Sequence, residues 1–263
     1  MFVLAVLAGA FISMGAVFAT TVTTGGSGAL PYGVGKLLGG IVFCLGLILV
    51  VVAGAELFTG NTLIAMAWAN RKVSTRALLR NWGVVYVGNF VGSLFSAVLV
   101  LLSRQWMGSG GAVGQTALNI ARAKVNLDFT QAIVLGILCN ALVCLAVWLT
   151  FSARTTTDKV LAILFPISAF VAAGFEHSVA NMYFIPLGLL IKSFAPAEFW
   201  TAIGATAADY ASLTWGSFLL KNLLPVTLGN IIGGSLLVGG VYWFIYLRPR
   251  RKMDYPMSDN SLG

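Results

Sequence analysis

The sequence has 263 residues, of which 59% are apolar and only 9% charged. A soluble domain carries about 25% charged residues; with so few here, a mean hydropathy of +0.92 and apolar residues in long runs, the chain reads as a polytopic membrane protein rather than a cytosolic enzyme, a disulfide scaffold or a disordered tail. The net charge of +8 does not point to nucleic acid, because the basic residues sit between apolar runs, as in membrane loops.

A helix needs about 20 apolar residues to cross the hydrocarbon core. Residues 1–19 supply the first span, and Thr20–Gly28 follows as a turn-like stretch. The sequence opens inside this span, with neither a basic n-region nor an Ala-x-Ala-like cleavage site, so a true span is expected, with further residues preceding it. Residues 37–70 come next, interrupted by Glu56, and 81–103 form a clean span. Residues 104–128 are expected to be loop and 129–153 another clean span. Residues 160–191 are interrupted by Glu176 and His177, and 222–247 close the series at six crossings of a lipid bilayer.

The 37–70 and 160–191 stretches are too long for one upright span and too short for two with a turn. Each is predicted to be a single crossing whose helix breaks near its carboxylate. Such breaks are tolerated where the freed backbone is buried in protein or lines a cavity. Cys44, Cys139 and Cys144 all lie in apolar stretches, without metal-ligand spacing or a loop position favouring a disulfide.

Orientation follows from Lys and Arg. In a six-span arrangement one side holds Arg71, Lys72, Arg76, Arg80, Arg154, Lys159, Arg248, Arg250, Arg251 and Lys252. The other holds Lys36, Arg104, Arg122, Lys124, Lys192 and Lys221, spread over longer loops. The first side is therefore expected to be cytoplasmic, with both termini inside.

The breaks match each other. Gly54-Ala-Glu56-Leu-Phe-Thr-Gly-Asn61 and Gly174-Phe-Glu176-His-Ser-Val-Ala-Asn181 carry Gly, Glu and Asn at the same spacing. A second constellation also recurs: Asn81, Gly88-Asn89 and Gly92 match Asn222, Gly229-Asn230 and Gly233. Two matched sets in the same order imply an internal repeat. Three crossings per copy make it an inverted one, with approximate bounds 1–103 and 129–247, inside a single transmembrane domain at 1–252 followed by a cytoplasmic tail at 253–263. The half-helices after the breaks would then aim their positive N-terminal ends at one central point, which suits an anion or a polarisable neutral molecule. The glycines at four-residue spacing are expected to serve close helix packing.

The segments Ala55-Glu-Leu-Phe-Thr-Gly-Asn61, Gly174-Phe-Glu-His-Ser-Val-Ala-Asn-Met182 and Pro225-Val-Thr-Leu-Gly-Asn-Ile-Ile-Gly-Gly234 resemble the signatures of the formate/nitrite transporter family. The wider sequence is most similar to its bacterial formate channel branch. The resemblance implies an all-α, aquaporin-like fold of six helices with helices two and five broken. It also implies a homopentamer with one pore per protomer, in the bacterial inner membrane, without a cofactor or metal. The family usually carries an amphipathic segment before the first span, and this sequence opens within that span.

His177 is the only histidine. A histidine in a membrane helix break is functional by default, and it matches the family's central pore histidine. Thr59 matches a pore-lining threonine that faces it; the alternative is a cap for a half-helix starting near Asn61. Glu56 and Glu176 either relay protons or hold the breaks in shape, and their symmetry favours the structural role. Asn61 and Asn181 are expected to support the breaks, and Asn140 to bond to the central site or to the break groups. Phe43 and Leu47 share a helix face. With Leu57, Phe58, Phe170 and Phe175 they are the candidate constrictions, by the family's pattern. Lys124 matches a vestibule lysine that attracts anions, against the alternative of a solvated loop lysine.

The reading that follows is a pH-sensitive channel for formate and other small monovalent anions. A nitrite or hydrosulfide channel of the same family is the alternative. A water or glycerol channel lacks support because neither break holds Asn-Pro-Ala, and a twin-histidine ammonium channel needs a second His. An intramembrane hydrolase using Ser178 would require adjacent residues to meet as nucleophile and base.

Overall fold

A computed structural model describes residues 1–25 and 30–248. The tail at 253–263 and the cations Arg250, Arg251 and Lys252 lie outside the described residues. The described chain is helical. α1 (Phe2–Thr23), α2 (Tyr32–Ala53), α5 (Thr75–Ser103), α7 (Phe129–Thr150) and α11 (Ser217–Leu247) are each long and apolar enough to cross a membrane. Between them lie α3 (Phe58–Asn61), α4 (Ile64–Ala69), α6 (Ala112–Val125), α8 (Thr156–Ala172), α9 (Ser178–Phe194) and α10 (Ala197–Ile203). α8 and α9, of 17 residues each, together make the remaining crossing, so helices two and five are the broken ones. Large apolar side chains such as Phe95, Leu102, Phe165 and Leu236 remain exposed, as a surface facing lipid or other apolar helices allows.

Both breaks begin the same way. α2 ends at Gly54 and α8 runs out at Gly174, each with φ of +73°. That left-handed conformation is nearly free of strain only for glycine. Ala55 N–H then bonds to Val50 O at 2.9 Å and Phe175 N–H to Phe170 O at 3.0 Å. The chain turns back at the carboxylates. Glu56 N–H donates to Leu4 O at the start of α1, and Glu176 N–H donates to Leu135 O near the start of α7. The half-helices that follow the carboxylates meet at Thr59 and His177.

Close packing of α1 on α5 and of α7 on α11 relies on glycine in both halves. A Cβ at Gly92 would overlap the Val6 carbonyl, and one at Gly233 the Ile137 carbonyl.

The 104–128 segment differs from the expected loop. It contains α6, which packs on α9. Its apolar face, Val113, Ala117, Leu118 and Ala121, is buried, but the segment is too polar and short to register as a span. Residues 192–221 likewise contain α10 and a short 3₁₀ turn at Ala207–Tyr210. α11 starts five residues before the expected span. It winds as a π-helix over Ser217–Leu223, Gly233–Gly240 and Trp243–Leu247, and as an α-helix between the first two. All three cysteines are buried and unbridged.

Candidate functional site

The start of each half-helix is held by an asparagine from a neighbouring crossing. Asn89 Oδ1 accepts from Phe58 N–H at 2.9 Å, while its Nδ2 donates to Glu56 O (2.9 Å) and Ala5 O (2.7 Å). Asn230 Oδ1 accepts from Ser178 N–H at 2.9 Å, while its Nδ2 donates to Glu176 O (2.9 Å) and Gly136 O (2.8 Å). The breaks expose backbone groups that lipid cannot satisfy; one amide side chain in each half satisfies two of them and is anchored to a neighbouring helix by its remaining N–H. These two asparagines were legible only as spacing markers of the repeat.

The carboxylates are held by a matching pair of amides. Asn61 Nδ2 donates to Glu56 Oε2 (2.6 Å) and Asn81 Oδ1 (3.0 Å). Asn181 Nδ2 donates to Glu176 Oε2 (2.6 Å) and Asn222 Oδ1 (2.7 Å). Glu176 has more: Asn222 Nδ2 reaches the same oxygen at 3.2 Å, and Lys124 Nζ stands 2.7 Å from Oε1. The side chains of Lys124 and Glu176 are only 15% and 6% exposed, so Lys124 is an ion-paired helix residue rather than a solvated loop lysine.

The two half-helices come together at Thr59 and His177. Thr59 Oγ1 and His177 Nε2 are 2.9 Å apart, and both residues are buried. His177 is the N-cap of α9, and its Nδ1 accepts from Ala180 N–H at 3.0 Å. In the neutral ring that places the proton on Nε2, which donates to Thr59 Oγ1 and leaves the threonine hydroxyl hydrogen available. Thr59 itself does not cap its helix. Leu57 occupies the cap position of α3, and Asn89 takes the role from another helix.

A cavity of about 310 Å³ reaches His177 from the face where α1 ends and α2 begins, and Thr59 is not among the residues that line it. Thr20, Thr23, Lys36 and Gly39 line it, and it passes Lys124 and Glu176 to Phe43, Phe170, Phe175 and His177. Two lysines and one carboxylate give it an excess of positive charge, which favours anions. Phe43 meets Phe170 edge-on at 5.8 Å, and the Phe170 ring stacks near His177 at 5.9 Å. Leu47 and Leu57 are buried but are not among the residues lining this cavity. Phe58 packs edge-on against Tyr86 and Trp82. Asn140 also stays off the lining: its Nδ2 donates to Thr59 O (3.2 Å), Thr62 Oγ1 (3.1 Å) and Asn230 O (2.6 Å).

The profile of the formate/nitrite transporter family matches residues 1–244. The chain belongs to the formate/nitrite transporter family. This transporter is 50% identical to the formate channel FocA of Escherichia coli strain K12 over 247 residues, covering 94% of this chain and 86% of that protein. It is 48% identical to the formate channel FocA of Haemophilus influenzae over 238 residues, covering 90% and 84%. The solved structure of a pentameric formate channel with formate bound superposes with a TM-score of 0.89 at 52% identity, covering 94% of this transporter and 96% of that chain. Those likenesses extend over both halves and both breaks, so the six-helix architecture and the family stand together.

Proposed function

We propose that this transporter is a formate channel of the bacterial inner membrane, assembled as a homopentamer with one pore in each protomer. The observation that carries the reading is the Thr59–His177 contact where two inverted half-helices meet, at the end of a lysine-lined cavity. A bare carboxylate entering an apolar passage loses hydration at high cost. Thr59 offers a hydroxyl donor at the contact, and His177 is the side chain beside it that can hold or release a proton at a ring nitrogen. Lys124 and Lys36 draw the anion toward the vestibule. Phe43, Phe170 and Phe175 form the apolar constriction on the cavity side of the site, the buried Leu47, Leu57 and Phe58 belong to a second one beyond the cavity, and Asn140 holds Thr59 in place.

The excess of Lys and Arg in the 71–80 and 154–159 loops supports cytoplasmic termini, within a channel domain at 1–252 and a cytoplasmic tail at 253–263. The protein is not an enzyme. Both ring nitrogens of His177 are engaged, by Thr59 and by Ala180, which supports a channel over a hydrolase using Ser178. The test is uptake of radiolabelled formate into proteoliposomes, alongside conductance with formate, nitrite and chloride across pH. Formate flux that saturates, depends on pH and exceeds chloride flux is expected; conductance of nitrite without formate would assign the alternative substrate.

A further inference from the structure

The two half-helices are not equivalent beyond their first turn. α9 continues unbroken from Ser178 to Phe194, whereas α3 stops at Asn61 and α4 starts only at Ile64. At this interruption Leu63 N–H bonds to Gly60 O at 3.1 Å instead of reaching Thr59. The Thr59 carbonyl thereby loses its ordinary helical partner in a buried place, where an unpaired acceptor is costly. Three side chains converge on it: Thr62 Oγ1 at 2.6 Å, Asn140 Nδ2 at 3.2 Å and Cys144 Sγ at 3.4 Å. Thr62 and Cys144 also touch each other, Oγ1 to Sγ, at 3.3 Å.

The room for this cluster comes from α11. A Cβ at Gly234 would overlap Thr62 Oγ1 and stand within 2.8 Å of Cys144 Sγ. In the other half the position matching Gly234 in the repeat is Ser93, whose hydroxyl reaches Val179 O at 3.5 Å. Val179 is the counterpart of Thr59. Where Val179 meets a serine donor from α5, Thr59 thus faces a glycine from α11, and the space is filled with donors from α7 and from the helix interruption.

We infer that Thr62 and Cys144 are positioning residues for substrate passage. They fix the Thr59 peptide so that its hydroxyl stays on His177 Nε2 and its hydrogen faces the anion. A four-residue helix cannot hold that orientation by itself, and Gly60, next in the chain, adds no side-chain restraint. The inference rests on the proposed role of Thr59 as a substrate contact.

The experiment compares wild type, Thr62→Val, Thr62→Ser, Cys144→Ala and Cys144→Ser in proteoliposomes, reading initial formate flux over pH 5 to 8, after size-exclusion chromatography has verified assembly. Thr62→Val and Cys144→Ala each remove a donor with little change in volume. On the scale of one buried hydrogen bond, each is expected to lower maximal flux on the order of fivefold. Each also alters the pH profile, whereas Thr62→Ser and Cys144→Ser retain both flux and profile. If Thr62→Val fails to assemble, Cys144→Ala, which leaves the stronger bond in place, carries the comparison. Flux and pH profile unchanged in the donor-free variants overturn the inference while leaving the channel reading intact. So does an equal loss in the Ser and the donor-free variants, which would assign the cluster to packing. Absence of formate flux in the wild type instead removes the channel reading.

Discussion

Asn89 and Asn230 make the same three hydrogen bonds in opposite halves of the protein. Each accepts the first N–H of a half-helix and donates to the carbonyl of the break carboxylate and to a carbonyl of a neighbouring helix. Both are fully buried. Replacing either by Ala strands the first N–H of the half-helix and the carbonyl of the break carboxylate, each costing about 1–3 kcal/mol when left unpaired. Asn89→Ala and Asn230→Ala are expected to lower the thermal unfolding temperature in detergent by similar amounts. A neutral Asn89→Ala beside a damaging Asn230→Ala would show that only one half depends on this support.

Lys124 and Glu176 form a pair that is nearly excluded from solvent. Removing one partner of such a pair leaves an uncompensated charge, typically at a cost of 3–5 kcal/mol, while removing both is far milder. Lys124→Met is therefore expected to destabilise the protein more than Lys124→Met combined with Glu176→Gln. Thermal melts of the single and double variants in one detergent decide it. A double variant less stable than Lys124→Met would mean that the Asn181 and Asn222 bonds to Glu176 outweigh the ion pair.

Much of this was legible in the sequence, and the reason is geometric. The Gly-Glu-Asn spacing of the breaks and the Asn-Gly-Asn-Gly spacing of the flanking helices survive because the hydrogen bonds between them repeat in both halves. Glu56 matches Glu176, Asn61 matches Asn181, and their partners Asn81 and Asn222 match as well. His177 and Thr59, each found in one half only, also stood out, but the contacts specific to one half did not show. Lys124 looked like a loop residue because α6 is short and only moderately apolar, and nothing in local spacing predicts its contact with Glu176, 52 positions away. Thr62 and Cys144 were invisible for the same reason: their function depends on a helix interruption that the uncharged 57–70 run does not mark.

Phe43 and Leu47 share a helix face but not the same surroundings. Phe43 lines the cavity against Phe170, and Leu47 is buried without being part of that lining. Phe43→Ala is expected to raise leak of anions larger than formate, since an apolar constriction excludes hydrated ions by dewetting. Leu47→Ala should change selectivity less while still creating a cavity, at about 2–5 kcal/mol of stability. The readout is the acetate-to-formate flux ratio in proteoliposomes. Unchanged ratios in both variants would assign this face to packing.

His177 is at once the cap of α9 and the partner of Thr59, and the two roles compete. A proton added at Nδ1 would confront the Ala180 N–H that this nitrogen now accepts, so charging the ring opens the first turn of α9 at the moment the imidazolium becomes available to an anion. Substitution can separate these roles. Asn is a preferred N-cap and its Oδ1 can take over the Ala180 N–H, whereas Phe offers no acceptor and forfeits about 1 kcal/mol of capping. His177→Asn is therefore expected to assemble with near wild-type stability yet lose the pH dependence of formate flux between pH 5 and 8, because its amide does not titrate. His177→Phe should be less stable and should pass little formate, as the ring would put one more apolar surface beside Phe170 with no donor to Thr59. Formate uptake measured across that pH range in the three proteins decides the matter. Were His177→Asn to keep both wild-type flux and wild-type pH dependence, the histidine would serve only as a helix cap and the central site would have to be sought elsewhere.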